Sequence, residues 1–157
     1  MRKSDDLFEM AAEIERRGVE FYTKLARRVG DERGSALFKY LASQEKEHEK
    51  LFMEAKSQYS GVKFTGALPV LTADEIFSAV KLDEMDDVEA MEYAIGVERR
   101  TAELYRRAAS SSGDEGLKKF LETLATVEEG HEKVLIENLE ALKSEGAWQG
   151  YVPILEG

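Results

Sequence analysis

The chain has 157 residues and a formal net charge of −10, with 32 acidic residues against 22 Lys and Arg. That length suits one domain with its own core, and the acidic balance excludes roles that depend on binding nucleic-acid phosphates or an anionic membrane surface. The absence of cysteine excludes disulfides, thiolate metal sites and a Cys nucleophile. No apolar run has the length of a signal peptide or a membrane span, so we expect a soluble cytoplasmic protein.

Two amphipathic stretches at the start of the chain predict a helical hairpin. Apolar and small residues recur at alternating steps of three and four over about residues 4–29 and again over about 33–58. This is the rhythm of a helix face packed in a bundle. Gly30 and Asp31, between the two stretches, supply a helix stop and a new start. The charged runs that contain Arg17 and Arg28 are interpreted as ordinary exposed helix surface.

The periodic pattern lapses over about residues 59–86 and then resumes. Within this connection, Thr72 and Glu75 form a capping-box signal for a short helix. Two further amphipathic stretches, about 87–109 and 115–143, predict a second hairpin. The only two prolines, Pro69 and Pro153, lie outside all four stretches, where they cannot break a helix. The sequence therefore predicts an all-α four-helix bundle in which a long crossover joins two hairpins, as a single domain over residues 1–157.

The last segment, residues 144–157, is apolar but too short and too rich in Gly and Pro to form another helix. It contains Trp148 and Tyr151, and the crossover contains Phe64 and Phe77. Apolar side chains in such segments most often cover a core or a subunit interface. We therefore expect the tail to dock on the bundle or on a partner subunit, and we expect a homodimer.

The second hairpin repeats the first at a constant offset of 83 residues, for polar as well as apolar positions. The offset relates one glutamate in the first helix of each hairpin, a tyrosine seven residues later, and a Glu-x-x-His pair in the second helix. These pairs are Glu15 with Glu98, Tyr22 with Tyr105, Glu45 with Glu128, and His48 with His131. Gly30 and Asp31 likewise correspond to Gly113 and Asp114. A duplicated hairpin predicts a pseudo-symmetric bundle.

The repeated polar residues have the composition of a metal site. Residues three apart in a helix point the same way, so each Glu-x-x-His pair presents an oxygen and a nitrogen to one point. Glu15 and Glu98 fall within the inward stripes, and four buried carboxylates without counter-charge would be costly. Two divalent cations would balance them, with iron or manganese favoured over structural zinc. The chain's only two histidines both lie in this motif. The alternative is a buried polar layer that only fixes helix register.

These motifs resemble the rubrerythrin branch of the ferritin-like di-iron carboxylate proteins. The resemblance rests on Glu15 with Tyr22 followed by EKEH, and on Glu98 with Tyr105 followed by EEGH. It implies a ferritin-like fold, two iron ions, and a metal site in which each His binds one metal and the four glutamates bind or bridge the pair. The implied ligands are Glu15, Glu45, His48, Glu98, Glu128 and His131. It also implies that the tyrosines hydrogen-bond to ligand carboxylates, although either can instead be a plain core aromatic.

Two departures from the family bear on activity. Rubrerythrins carry a cysteine-ligated rubredoxin domain that passes electrons to the di-iron site, and this chain has no cysteine. An external electron donor is therefore expected. Rubrerythrins also carry an extra carboxylate one turn after the glutamate in the second half, where this chain has Thr101 and, at the equivalent position of the first half, Gly18. Gly18 either allows a close helix approach or leaves room beside the metals.

Three functions follow from these residues. The first is an oxidoreductase that reduces peroxide or dioxygen at a buried iron pair. The second is ferrous iron oxidation or iron handling at the same site, without a separate substrate. The third is a structural or interaction bundle with no metal.

Overall fold

The protein is described by a computed structural model that covers residues 4–65, 72–77 and 82–150. It contains four long helices: α1 (Ser4–Arg28), α2 (Glu32–Gln58), α4 (Asp87–Ser110) and α5 (Glu115–Glu145). The crossover contributes the short α3 (Ala73–Ile76) and a 3₁₀ turn (Leu82–Glu84). The predicted all-α four-helix bundle is confirmed. Pro69, Tyr151 and Pro153 lie outside the described residues. None of the helices in the described ranges is long and apolar enough to cross a membrane.

An aspartate N-cap begins the second helix of each hairpin. The Asp31 carboxylate accepts hydrogen bonds from the backbone N–H groups of Arg33 and Gly34, at 2.8 and 3.1 Å. The Asp114 carboxylate accepts one from Leu117 at 2.9 Å. An aspartate here satisfies amide groups that have no partner within the helix. The repeat of Gly-Asp in the sequence is therefore a repeat of helix capping.

The core is formed by the inward stripes of the four long helices. Large side chains such as Phe8, Phe38, Phe52 and Leu121 are fully buried. Burying a side chain of this size stabilises the fold by about 1.5–3 kcal/mol relative to leaving it exposed. Midway along the bundle this apolar core is interrupted by buried acidic and imidazole side chains. The helices therefore hold a polar layer between two apolar ones.

Arginine side chains attach the crossover to the bundle. Arg17 lies 2.5 Å from an Asp74 carboxylate oxygen, and its guanidinium stands 5.5 Å from the centre of the Phe77 ring. Arg28 donates to the Leu82 carbonyl oxygen at 2.6 Å, and Arg100 donates to the Ile76 carbonyl oxygen at 2.7 Å. The interpretation of the charged runs around Arg17 and Arg28 as ordinary surface was wrong for these two residues, because helix periodicity does not reveal contacts with a distant loop.

The tail, as far as Gly150, docks on the chain's own bundle. Trp148 is buried and packs edge-on against Phe38, with 5.5 Å between ring centres. It also lies over Gly34, where a Cβ atom would stand 2.7 Å from the indole ring. Buried Asn138 accepts hydrogen bonds from the backbone N–H groups of residues 149 and 150, at 3.0 and 2.7 Å. A glycine in α2 and an asparagine in α5 together hold the tail.

Candidate metal centre

All six predicted ligands are buried together at the centre of the bundle. Glu15 lies on α1 and Glu98 on α4, and the two Glu-x-x-His pairs lie on α2 and α5. Each of the six is at most 4% exposed to solvent. We call them the Glu/His cluster: Glu15, Glu45, His48, Glu98, Glu128 and His131. The structure therefore brings together residues that are up to 116 positions apart in the chain.

The Glu/His cluster forms two overlapping groups of four side chains. One contains Glu15, Glu45, His48 and Glu128, and the other contains Glu45, Glu98, Glu128 and His131. In each group, one potential ligand atom from every residue lies within 4.8 Å of the others. Glu45 and Glu128 belong to both groups, whereas each hairpin supplies its own single Glu and His to one of them. This is the arrangement expected for two neighbouring cations joined by shared carboxylates.

Two fully buried tyrosines each donate a hydrogen bond from one hairpin to a glutamate of the other. The Tyr22 hydroxyl on α1 donates to Oε1 of Glu98 on α4 at 2.6 Å, and the Tyr105 hydroxyl on α4 donates to Oε1 of Glu15 on α1 at 2.6 Å. Each tyrosine thus holds the glutamate of the other hairpin, not the one seven residues before it. These hydrogen bonds leave the second oxygen of each carboxylate available to the cluster.

The two histidine rings face the carboxylates through Nδ1. His48 Nδ1 lies 2.9 Å from Glu128 Oε1 and 3.6 Å from Glu15 Oε2. His131 Nδ1 lies 3.4 Å from Glu45 Oε1 and 3.7 Å from Glu98 Oε1. The rings are nearly parallel, at 14°, with 6.1 Å between their centres. Each ring therefore presents a nitrogen to one of the two groups of four side chains.

The crowding of carboxylates perturbs the ionisation of the cluster. Burial, followed by repulsion from neighbouring glutamates, raises the pKa of Glu45 and of Glu128 well above the usual range of a carboxyl group. Burial alone would lower the pKa of His48, but its hydrogen bond to Glu128 and the negative charge of nearby Glu15 outweigh it and raise that pKa to about 10. Burial also acts to raise the pKa of Glu98, but its hydrogen bonds and the charge of His131 lower it to about 2. Without a metal, the cluster therefore holds protons at neutral pH.

Several buried polar atoms of the cluster have no hydrogen-bond partner and could bind a cation. Among the described residues, the buried side-chain atoms that lack a hydrogen bond include Glu15 Oε2, Glu45 Oε1, Glu128 Oε2 and both ring nitrogens of His131. Buried polar groups without partners are costly and uncommon. No hydroxyl or N–H group of the described residues donates to these three oxygens, and cations bind such oxygens directly. A polar layer that served only to fix helix register would be expected to satisfy its own hydrogen bonds. The donor set of oxygen and imidazole nitrogen suits iron or manganese.

Thr101, at the position of the expected extra carboxylate, and Gly18, its equivalent in the first hairpin, have different surroundings. Thr101 is buried, and its hydroxyl donates to the Val97 carbonyl oxygen of its own helix at 2.8 Å. Gly18 is also buried, and a Cβ atom there would stand 3.2 Å from Cγ of Glu45 and 3.3 Å from its Oε2. The space beside Gly18 is therefore filled by the Glu45 side chain.

One neighbour of the cluster was not predicted. The Tyr40 ring stands edge-on to the His131 ring, with 6.3 Å between their centres. Tyr40 is half-buried, whereas His131 is buried. The residue at the equivalent position of the second hairpin is Thr123. The internal repeat therefore contains no signal for Tyr40.

Four long helices around a buried Glu and Glu-x-x-His set define a ferritin-like carboxylate protein. Over residues 6–139 the sequence matches the family model for rubrerythrin, and the chain belongs to the rubrerythrin family. The fold is similar to that of a Thermotoga maritima protein described as ferritin-like and diiron-carboxylate. The TM-score is 0.68 at 23% sequence identity, over 93% of this chain and 97% of the other. A search of curated proteins finds no match.

Proposed function

We propose that the Glu/His cluster binds two iron ions and that the protein is an oxidoreductase that reduces peroxide or dioxygen. The observation that supports this most directly is the pair of overlapping four-residue groups that share Glu45 and Glu128. One bound metal would need only one such group. Two groups with two common carboxylates favour a pair of ions held close together. Manganese suits the same oxygen and nitrogen donors and is the alternative metal.

The charges of the cluster are consistent with a pair of divalent ions. Four ionised glutamates contribute four negative charges, and two divalent cations would balance them while the histidines bind as neutral rings. Glu15 and His48 would bind one ion, Glu98 and His131 the other, and the two shared glutamates would bind both. An iron pair would supply two electrons, one from each ion, which with two protons reduce hydrogen peroxide to two water molecules; an external donor would then restore both electrons.

The chain's own residues would prepare the site for this chemistry. Tyr22 and Tyr105 fix the orientation of Glu98 and Glu15, because each holds one oxygen of the carboxylate at 2.6 Å. Oriented ligands keep a metal site preorganised. The surrounding apolar layers exclude bulk water, so substrate access is restricted to small molecules such as peroxide or dioxygen. The raised pKa values of Glu45 and Glu128 make these carboxyl groups able to hold protons when no metal is bound.

Rapid mixing of the ferrous protein with oxidant tests this proposal. The protein is loaded anaerobically with two equivalents of ferrous iron and mixed in a stopped-flow instrument with peroxide or with air-saturated buffer. We expect ferric absorbance to develop faster than for the same iron free in buffer, and repeated turnover when a reductant is supplied. An oxidation rate equal to that of free iron, with both oxidants, would contradict the proposal.

A matched variant ties the reaction to the cluster. Replacing both Glu15 and Glu98 by Ala removes one carboxylate from each group of four and should abolish the fast oxidation. As a control, Glu103→Ala removes an exposed carboxylate of α4 that pairs with Arg107 on the same helix. The control should react like the unmodified protein. Iron uptake well beyond two ions per chain would instead favour iron handling as the function.

A further inference from the structure

Gly18 stands at an inward-facing position of α1, opposite one of the two shared glutamates. A methyl group at this position would lie 3.2 Å from Cγ, 3.4 Å from Cδ and 3.3 Å from Oε2 of Glu45. Contacts this short require the neighbouring side chain to move by a few tenths of an ångström. Among the glycines of the described residues, Gly18 is the one where the atoms nearest to an added Cβ atom belong to the Glu/His cluster.

The position matters because Glu45 has little freedom to move elsewhere. Glu45 is 4% exposed, and its Oε1 lies 3.4 Å from His131 Nδ1 on the opposite hairpin. A shifted carboxylate would also meet Glu15 and Glu128, whose oxygens already lie within 4.8 Å of it. A glycine in the middle of a helix is otherwise unfavourable compared with alanine. Glycine at this position leaves room for the Glu45 side chain, and alanine would crowd it.

The second hairpin does not repeat this feature. The residue equivalent to Gly18 is Thr101, whose β-branched side chain is buried and hydrogen-bonded to its own helix. The two hairpins therefore differ at this position, although the sequence repeat relates all six residues of the Glu/His cluster.

We propose that Gly18 is a positioning residue that holds the Glu45 carboxylate back against α1, where it can be shared between two metal ions. The inference rests on the proposed metal function, because it assigns a role to Gly18 through a shared carboxylate. A methyl group at this position would displace Glu45, so that its carboxylate could no longer be shared by both groups of four. One ion would then keep only three of its four ligands and bind more weakly. Disturbing the surroundings that orient a metal ligand costs roughly ten- to a hundredfold in metal affinity.

The first test measures Glu45 displacement in the metal-free protein. Gly130→Ala is the control, because Gly130 is exposed in α5 and a Cβ atom there would meet nothing within 4 Å. It should raise the melting temperature by about 2–4 °C, as alanine does in an unobstructed helix. Gly18→Ala should give no such increase. In the Glu45→Ala variant there is no carboxylate to displace. Adding Gly18→Ala to that variant should therefore raise its melting temperature by about 2–4 °C.

The second test is titration with cobalt(II), which binds the same oxygen and nitrogen donors and does not turn over. The unmodified protein and Gly130→Ala should bind two ions, whereas Gly18→Ala should bind the second ion roughly ten- to a hundredfold more weakly. Equal second-ion affinities in all three proteins, or a Gly18→Ala stabilisation that does not depend on Glu45, would overturn the role of Gly18. Absence of cobalt binding by the unmodified protein would instead contradict the proposed function, and the melting comparison would still test the displacement of Glu45.

Discussion

The crossed tyrosine hydrogen bonds predict a specific loss of stability on removal of one hydroxyl. Tyr22→Phe deletes the donor to Glu98 Oε1 and leaves the ring, which packs at 6.0 Å from the Phe38 ring, in place. Both partners of the hydrogen bond are essentially inaccessible to solvent. Water therefore cannot replace the lost donor, and Glu98 keeps a buried oxygen without this partner.

The expected magnitude follows from the nature of this hydrogen bond. A hydrogen bond to a charged group contributes about 1.5–3 kcal/mol, and the 2.6 Å separation between Tyr22 and Glu98 is typical of the charge-assisted kind. For a chain of this size, 1 kcal/mol changes the melting temperature by about 2–4 °C. Tyr22→Phe should therefore lower the melting temperature of the metal-free protein by roughly 3–12 °C. Tyr105→Phe should behave similarly, because its bond to Glu15 has the same length and burial.

Thermal unfolding followed by circular dichroism, in the presence of a chelator, measures this difference. Ser144→Ala is the control, since it deletes an exposed hydroxyl, which donates to the Glu140 carbonyl oxygen at 2.8 Å. It should change the melting temperature by no more than about 2 °C, as surface substitutions usually do. If Tyr22→Phe and Tyr105→Phe had the same melting temperature as the control variant, the crossed hydrogen bonds would not stabilise the cluster and the reasoning would be refuted.

Three further outcomes are expected. Replacing Glu15 and Glu98 together by Ala should abolish pairwise metal binding, and retention of two ions by elemental analysis would show that the ligand assignment is wrong. Metal binding should release protons and strengthen as the pH rises towards 10. The reason is that His48 and the two shared glutamates have raised pKa values and must lose protons to bind. If the calorimetric heat of binding were the same in buffers of different ionisation enthalpy, no protons would be released and this prediction would be wrong. Asn138→Ala should destabilise the fold by about 1–3 kcal/mol in total, because two half-buried hydrogen bonds to the tail are lost. Unchanged urea unfolding would mean that the tail is not docked.

The starts of α2, α4 and α5 were predictable because an aspartate caps each of them. The predicted stretch of about 115–143 corresponds to α5 at Glu115–Glu145, whose start is fixed by the Asp114 cap and whose end is fixed by Gly146 with a φ of 67°. The inward direction of Glu15 and Glu98 was predictable from periodicity, and both are buried. The sequence pattern is sufficient to predict a structural feature when the interactions that determine the feature lie within a few residues of it.

Contacts between distant elements were not predictable in the same way. The spacing of Tyr22 from Glu15 indicated a hydrogen bond near the metal ligands, but the partner is Glu98 on the other hairpin. Which helices face each other across a bundle is decided by tertiary packing, and periodicity does not specify it. Sequence also left open what fills the space beside Gly18, because only the three-dimensional arrangement shows that Glu45 lies there.

Crystallography of the iron-loaded protein, with anomalous diffraction measured at the iron edge, tests the central claim most directly. Two anomalous peaks are predicted, roughly 3.5–4 Å apart as in other two-metal sites. Both should contact Glu45 and Glu128, with His48 beside one peak and His131 beside the other. A single peak, or no peak within the cluster at full iron loading, would contradict the assignment of a dinuclear centre.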